Sequence, residues 1–318
     1  MKESITFGGI TVAAGEKKQG WAPVLDTDYK LPVTVINGAK EGKTLLITAG
    51  IHGCEYPSLE AGFELAEELD PAVLSGQVVI ICPVNVDAFI DRTPYVLPQD
   101  GKNINRLFPG NPEGTLGDKI AYVLTNEYQM KADFYIDIHG GDLPEALPPY
   151  VYHPGIGEDK ECLAFAEQAA LRVVSADYRL RSSATTGAYN SCAILGVPSL
   201  LIERGGCGVW SEEDKDLYKE DIINVMKFLE IYPGEAVLPE KPAKLITRGE
   251  YLDATASGRW YPAVKLGDEV KKGQKLGEIR DIFGSVLAEY FAEFDATVLM
   301  LTVSLAVKEG YAIITYGC

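Results

Sequence analysis

TLLITAGIHGCE, residues 44–55, is the stretch of sequence that predicts most about the fold. Its first six residues, Thr44–Ala49, are mostly apolar and β-prone and are followed by a glycine, which predicts a buried strand. Apolar residues then recur with helical spacing over Tyr56–Leu69. The sequence therefore predicts a strand, a short loop that carries His52 and Glu55, and a helix.

The same alternation of strand and helix recurs as far as about residue 240. Further strands are predicted at Val78–Pro83, Phe134–Ile138 and Ser199–Ile202, and further helices at Asp118–Lys131, Asp159–Val174 and Glu213–Glu230. Strands that alternate with helices form parallel sheets covered by helices on both faces. The predicted fold class is α/β, with a mixed, largely parallel sheet flanked by helices.

The pattern changes at about Pro239. Val264–Tyr290 consists of short β-prone segments separated by glycines, which predicts strands. We therefore predict an α/β domain over residues 1–238 and a small all-β domain, a barrel or sandwich, over residues 239–318. The β region is reminiscent of biotinyl and lipoyl domains, but its nearest counterpart to their lysine-bearing hairpin, Val298–Met300, has no lysine. A cap over a cleft or a contact between subunits is the expected role.

Composition limits the classes of partner. The 318 residues carry a formal net charge of −17, which repels nucleic acid and anionic lipid. No apolar run is long enough to cross a bilayer, and Met1–Gly9 has no signal-peptide core. The six cysteines are scattered without a C-x-x-C pair, as expected for free thiols in a reducing compartment. The expected location is the cytoplasm.

Two histidines and a glutamate follow predicted strands. His52 and Glu55 stand three residues apart in GIHGCE, and His139 follows Phe134–Ile138 in DIHGG. Ligands bind at the carboxyl ends of parallel strands, and imidazole with carboxylate suits Zn²⁺. A catalytic zinc needs three protein ligands and an open position. We predict one zinc ion per chain at these three residues, with Asp137 orienting an imidazole. For His139 alone, a core histidine is the alternative.

The polar segment Asp100–Gly110 contains an Asn–Arg pair, Asn105 and Arg106. An arginine can hold a carboxylate through two parallel hydrogen bonds, so Arg106 is a candidate for binding an anionic substrate group. Arg92, in a loop upstream, is a second positive candidate. For each arginine, a solvated surface position is the alternative.

Glu203 ends the predicted strand that begins at Ser199. Burial at a strand end would raise the pKa of its carboxyl group and suit it to accept and return protons. A surface glutamate or an ion-pair partner is the alternative. The third histidine, His153, follows a proline-rich loop, where it either lines a substrate pocket or has no catalytic role.

Four segments together resemble one known family. GIHGCE, DGKNINRLFPG, DIHGG and PSLLIERGG, at residues 50–55, 100–110, 137–141 and 198–206, occur in the order found in the succinylglutamate desuccinylase/aspartoacylase family of the zinc carboxypeptidase clan. The resemblance implies a zinc-carboxypeptidase-like catalytic domain at residues 1–238. It also implies a deacylase that cleaves the amide bond of an N-acyl amino acid or a similar small molecule with a carboxylate.

The resemblance also implies roles for particular residues. It makes His52, Glu55 and His139 the zinc ligands, Glu203 the general base, Asn105 and Arg106 the carboxylate-binding pair, and Arg92 the group that stabilises the oxyanion. Cys54 stands where the family usually has Asp or Asn, and the pocket tyrosine of some relatives has no counterpart that we can identify. Glu145 and Thr186 are candidates for substrate specificity.

Two other functions are left open by the sequence. One is a metallocarboxypeptidase that acts on short peptides, and the other is a ligand-binding homologue that has lost catalysis. A homo-oligomer is also left open.

Overall fold

A computed structural model describes residues 2–318, which form nineteen strands and six α-helices. The strands are β1 (Ile5–Phe7), β2 (Ile10–Val12), β3 (Glu16–Pro23), β4 (Lys30–Asn37), β5 (Lys40–Ala49), β6 (Ser75–Ile81), β7 (Phe134–His139), β8 (Glu145–Pro154), β9 (Tyr178–Ser182), β10 (Ser199–Gly206), β11 (Lys244–Ile246), β12 (Gly249–Asp253), β13 (Gly258–Pro262), β14 (Glu269–Val270), β15 (Lys275–Arg280), β16 (Val286–Phe291), β17 (Ala296–Thr302), β18 (Ala306–Val307) and β19 (Ala312–Gly317). The helices are α1 (Tyr56–Glu68), α2 (Val86–Asp91), α3 (Leu116–Val123), α4 (Lys160–Ala170), α5 (Ala188–Ile194) and α6 (Glu212–Phe228).

One mixed sheet of thirteen strands organises the molecule, with the main order β12-β19-β17-β8-β10-β7-β5-β6-β4-β3. Its central strands β10, β7, β5 and β6 are parallel to one another, and they are the four strands that the sequence predicts. Antiparallel strands extend the sheet on both sides of this centre. The prediction of a mixed α/β fold is confirmed.

Alternate residues of the central strands enter two separate cores. On β5, Leu45 and Ile47 pack with apolar residues of α1 and α6, such as Leu59. Leu46 points to the other face and packs with residues of α3 and α5, such as Ile120. Since both faces of the central strands are covered, their sequences read as continuous apolar runs.

The predicted helices are present, with shorter or altered ends. The helix predicted at Asp118–Lys131 begins earlier, at Leu116, and its α-helical part ends at Val123. A π-helical turn over Leu124–Tyr128 and a 3₁₀ turn over Gln129–Lys131 follow. None of the helices within residues 2–318 has the length and apolar character needed to cross a membrane.

The C-terminal strands contribute to two sheets. β11, β12, β14, β17 and β19 join the main sheet, where β17 pairs with β8 and places Leu301 opposite Ala146. β13, β15, β16 and β18 form a separate antiparallel sheet of four strands. At the junction, Leu299 and Ile246 pack against Tyr150 of β8. The C-terminal region is thus all-β, and its independence as a domain stays a prediction.

Candidate active site

His52, Glu55 and His139 converge at the carboxyl ends of β5 and β7. His52 Nδ1 lies 2.7 Å from Glu55 Oε1, and His139 Nδ1 lies 3.1 Å from Glu55 Oε2. One potential ligand atom from each residue lies within 4.8 Å of the others. The structure therefore brings the three residues predicted as metal ligands into one cluster that could hold a metal ion.

The turn between β5 and α1 places two of these side chains. β5 ends at Ala49, and Glu55 is the residue that precedes the first turn of α1. Gly53, between the two ligands, approaches α2 so closely that a Cβ atom there would lie 2.3 Å from the backbone carbon of Ala88. The turn can return Glu55 to His52 because position 53 has no side chain.

A second layer of polar groups fixes both imidazoles. His52 Nε2 lies 3.1 Å from Asn103 Oδ1, and His139 Nε2 lies 3.0 Å from Asp137 Oδ2. Asp137 in turn accepts a hydrogen bond of 2.6 Å from the Thr48 hydroxyl. These contacts occupy Nε2 of each ring and leave both Nδ1 atoms directed at Glu55. Metal-binding histidines are oriented in this way by their second ring nitrogen.

Glu55 provides the test of whether a cation fits. Its side chain is buried, and Oε2 has no hydrogen-bond donor among residues 2–318. Burial opposes ionisation of this group, but His139 and His52 lower the pKa of Glu55 to about 2. A buried carboxylate whose two oxygens each lie against an imidazole nitrogen, one of them without a hydrogen-bond partner, is complementary to a bound cation.

Glu203 lies next to this cluster, on the strand that neighbours β7. The parallel register places Glu203 beside His139, and the antiparallel register with β8 places it beside Tyr150. Burial, with the negative charges of Glu55 and Glu145, raises the pKa of Glu203 well above its usual range, although His139 opposes this. Glu203 is therefore placed and tuned to hold a proton beside the cluster.

Arg204, the residue after Glu203, fixes the end of β10 against the rest of the domain. The β8 register shifts between Glu203 and Gly205, and Arg204 points to the opposite face, fully buried. Arg204 Nη2 binds Asp221 Oδ2 of α6 at 2.5 Å, and its guanidinium lies 4.9 Å from the Tyr218 ring centre. The Tyr218 hydroxyl contacts both the Arg204 amide and the His139 carbonyl oxygen. The ends of β7 and β10 are thus tied to one helix.

A cavity of about 650 Å³ opens over the cluster. Asn105 and Arg106 line it, as does Thr186. Asn105 Oδ1 accepts a hydrogen bond of 2.8 Å from the Ala188 amide, which leaves the side-chain NH₂ group as a donor. Arg106 is exposed at the cavity wall and forms no ion pair with residues 2–318. Both residues are available to a substrate anion.

Two residues singled out in the sequence lie elsewhere. Arg92 is exposed at the end of α2, in a left-handed conformation, and is absent from the described lining of the cavity. Its charge acts on Cys54 and Tyr56, on the helix side of the ligand turn. The role of Arg92 as the oxyanion group stays a prediction.

His153 is neither a pocket residue nor a loop residue. It is buried on β8, where Nε2 lies 3.1 Å from Arg179 Nη1, and it does not line the cavity. Burial, with the charge of Arg179, lowers its pKa to about 4. The proline-rich sequence before it suggests a loop, but the register with β9 shows a strand.

Tyrosines are the cavity residues that the sequence does not reveal. Five of them line the cavity: Tyr95, Tyr150, Tyr152, Tyr189 and Tyr251. They come from four separate segments, with only Tyr150 and Tyr152 on the same strand, so no local pattern could have grouped all five. Asn103 was also missed as a partner of His52, although it lies in the same segment as Asn105 and Arg106.

C-terminal strands supply one wall of the same cavity. Arg248, Tyr251, Met300 and Thr315 belong to this wall, and the Tyr251 hydroxyl lies 3.0 Å from that of Tyr152. The C-terminal region therefore covers the cleft, which is one of the two roles expected from the sequence.

This fold and this site define a class: an enzyme of mixed α/β fold with a His-Glu-His cluster and a half-buried glutamate at the ends of parallel strands. Residues 41–229 match the succinylglutamate desuccinylase/aspartoacylase catalytic domain. The chain belongs to this family, and it is an amide-hydrolysing enzyme.

Individual relatives agree with this assignment. The chain is 27% identical over 299 residues to an N-alpha-acetyl-L-2,4-diaminobutyric acid deacetylase of Halomonas elongata, covering 92% of this chain and 85% of that protein. A succinylglutamate desuccinylase/aspartoacylase of Rhodobacter sphaeroides is 26% identical, with a TM-score of 0.82 and 95% of both chains covered. A product-bound ectoine utilization protein of Ruegeria pomeroyi is 26% identical, with a TM-score of 0.83 and the same coverage.

Proposed function

We propose that this chain is a zinc-dependent deacylase that cleaves the amide bond of an N-acyl amino acid or a similar small molecule with a carboxylate. The observation that carries the proposal is the convergence of the Glu55 carboxylate with two imidazoles, its Oε2 without a hydrogen-bond partner, beside the half-buried Glu203. The curated relative from Halomonas elongata, named as a deacetylase of an acetylated amino acid, supports the same class of reaction.

Zinc is the metal that the donor set favours. Two imidazole nitrogens and one carboxylate form the His₂Glu set of catalytic zinc sites, which keep a further position open. His52, Glu55 and His139 would hold one ion per chain. When bound, zinc lowers the pKa of a water molecule and polarises the scissile carbonyl group.

The chain's own residues supply proton transfer and orientation. In its ionised form, Glu203 takes a proton from the attacking water and returns it to the nitrogen of the leaving amine. Arg106 and the Asn105 NH₂ group hold the substrate carboxylate, which places the amide bond over the cluster. Asn103 and Asp137 keep both imidazoles in the orientation that the cluster requires.

Removal of the metal tests the proposal. Dialysis against a chelator should reduce hydrolysis of N-acetyl and N-succinyl amino acids by at least about a hundredfold, since Lewis-acid activation supplies several kcal/mol. Addition of one equivalent of zinc should restore the rate, and metal analysis of the loaded protein should give one zinc per chain.

Other results would contradict the proposal. Full activity without metal would remove zinc from the scheme. Faster cleavage of short peptides than of acyl amino acids would favour a metallocarboxypeptidase. Zinc binding without hydrolysis of any acylated amino acid would indicate a homologue that has lost this activity.

For the location, we propose the cytoplasm. All six cysteines are free, as is typical of proteins in a reducing compartment. Cell fractionation tests this, and recovery of the protein outside the cytoplasmic fraction would contradict it.

A further inference from the structure

Thr48 is the polar residue in the apolar part of β5, residues 45–49, that leads to the His-Glu-His cluster. Its side chain is buried, and the parallel register places it beside Asp137 of β7. A valine would have nearly the same shape at this position, and it would bury no polar atom. Because a buried hydroxyl is costly unless its hydrogen bonds are made, the partners of Thr48 indicate its role.

A chain of hydrogen bonds connects Thr48 to the cluster. Tyr135, Asp137 and His139 are buried alternate residues of β7 and therefore share one face of that strand. The Tyr135 hydroxyl lies 2.6 Å from Thr48 Oγ1, and Thr48 Oγ1 lies 2.6 Å from Asp137 Oδ1. The second oxygen of that carboxylate, Oδ2, lies 3.0 Å from His139 Nε2. The chain thus runs from Tyr135 to a proposed metal ligand.

The chemistry of these groups determines which atom donates in each hydrogen bond. An ionised carboxylate only accepts, so Asp137 accepts from the Thr48 hydroxyl and from the Nε2–H group of His139. The single hydroxyl proton of Thr48 is then used, and Thr48 can only accept from Tyr135. Burial raises the pKa of Tyr135 well above its usual range, so its hydroxyl keeps the proton that it donates. Nδ1 is the nitrogen of His139 that is left to bind a metal ion.

The carboxylate between Thr48 and His139 depends on this arrangement. Asp137 is fully buried, and among residues 2–318 the Thr48 hydroxyl is the donor to its Oδ1 atom. Without that hydroxyl, the carboxylate would keep only the hydrogen bond to the imidazole that it orients. A metal-binding histidine is held in place by the partner of its second nitrogen, so a less well fixed Asp137 should weaken metal binding.

We propose that Thr48, itself held by Tyr135, is a positioning residue for the metal ion. It fixes the Asp137 carboxylate so that His139 presents Nδ1 to zinc. This inference rests on the proposed zinc-dependent function and adds two residues that act through Asp137. Neither Thr48 nor Tyr135 lines the cavity, so neither contacts the substrate.

Zinc affinity tests the proposal directly. It is measured on the full chain by competition with a chromophoric chelator, with circular dichroism to verify that each metal-free variant is folded. Thr48→Val removes the hydroxyl and should weaken zinc binding by at least about tenfold, the low end of the effect of losing an outer partner of a metal-binding histidine. Thr48→Ser keeps the hydroxyl and should bind zinc within about threefold of the wild type.

Thr34→Val is the matched control. Thr34 is buried on β4 of the same sheet, accepts a hydrogen bond of 3.2 Å from Gln19 Nε2 and does not line the cavity. This variant also loses a buried hydroxyl, but its zinc affinity should equal that of the wild type.

Tyr135→Phe tests the first link of the chain of hydrogen bonds. Alone, it should weaken zinc binding by about threefold, because it removes one neutral hydrogen bond and leaves Thr48 in place. Combined with Thr48→Val, it should cause no further loss, since Tyr135 acts only through Thr48. A further loss in the double variant would contradict this chain of hydrogen bonds.

The outcomes separate this inference from the proposed function. If the wild-type chain binds no zinc, the proposed function itself fails. If the wild type binds zinc and hydrolyses an N-acetyl amino acid, but Thr48→Val binds zinc as tightly, only the positioning role is refuted. An equal loss of affinity in Thr34→Val, or in Thr48→Ser, would show that the Thr48 hydroxyl has no specific part and would overturn the assignment.

Discussion

At the scale of the residue, the orientation of each imidazole in the cluster is determined by the hydrogen-bond partner of its Nε2 atom. Asn103 and Asp137 each occupy an Nε2 atom, so only Nδ1 faces Glu55. The sequence predicts the three ligands because a strand end limits where their side chains can point. It does not predict which nitrogen binds, since Asn103 reaches His52 from a turn 51 residues away along the chain.

Glu203 allows the sharpest test at this scale. Glu203→Gln removes the proton-accepting oxygen but keeps the shape of the side chain, and Glu203 is not one of the three clustered ligands. We expect zinc content to be unchanged and kcat to fall by at least about a hundredfold, the low end of general-base effects. Metal analysis together with steady-state kinetics on an acetylated amino acid measures both quantities.

The matched control for this test is Glu113→Gln, at an exposed position, which should behave as the wild type. Turnover by Glu203→Gln within a few-fold of the wild-type rate would exclude Glu203 as the base. Loss of zinc in that variant would instead assign Glu203 a part in metal binding.

At the scale of the element, burial on both faces decides what could be predicted. The central strands β5, β6, β7 and β10 each contain a continuous, mostly apolar run, and these runs were predicted as strands. β8 was not, because its segment Glu145–Pro154 contains three prolines, which argue against a strand. The strand nevertheless forms, pairing with β10, β17 and β9 along its length. Tertiary pairing here overrides the local signal, and it brings Glu145 and Tyr150 to the cavity.

The start of α3 is where the contribution of a single side chain to the stability of an element can be measured most directly. The Asp118 carboxylate accepts hydrogen bonds from the Thr115 amide at 3.0 Å and from Lys102 Nζ at 2.7 Å. It thereby links the first turn of α3 to the segment that leads to Arg106. Asp118→Ala should lower the free energy of unfolding by about 1 kcal/mol, the usual effect of losing a capping side chain.

Urea unfolding followed by circular dichroism measures this change. Glu113→Ala, just before the helix and exposed, is the matched control, since its side chain forms no ion pair. An Asp118→Ala midpoint equal to that of the control would show that the capping interaction adds nothing to stability.

At the scale of the whole molecule, the main question is whether the C-terminal region unfolds by itself. The sequence predicts a boundary at residues 238–239 because the alternation of strand and helix patterns ends there. A local residue pattern contains no information about pairing between distant strands. The structure pairs β17 with β8 and buries Leu299 against Tyr150, across that boundary. A sheet that continues from one part to the other should couple their unfolding.

Two probes report on the two parts separately. The α-helices of the described chain lie within residues 56–228, so the helical circular dichroism signal follows the first part. Trp260 is buried in the C-terminal core, whereas Trp21 and Trp210 are exposed. Replacement of those two by phenylalanine would leave Trp260 fluorescence as the probe of the second part.

We expect the two signals to change at the same temperature, with equal calorimetric and van't Hoff enthalpies. Leu299→Ala should then lower the shared midpoint, because deleting a buried leucine costs about 2–5 kcal/mol. The exposed Leu305→Ala, in the same region, should have little effect. Two separate transitions, only one of them moved by Leu299→Ala, would show that residues 239–318 fold independently. The wall that Tyr251 and Thr315 provide would then depend on docking between domains and not on one continuous sheet.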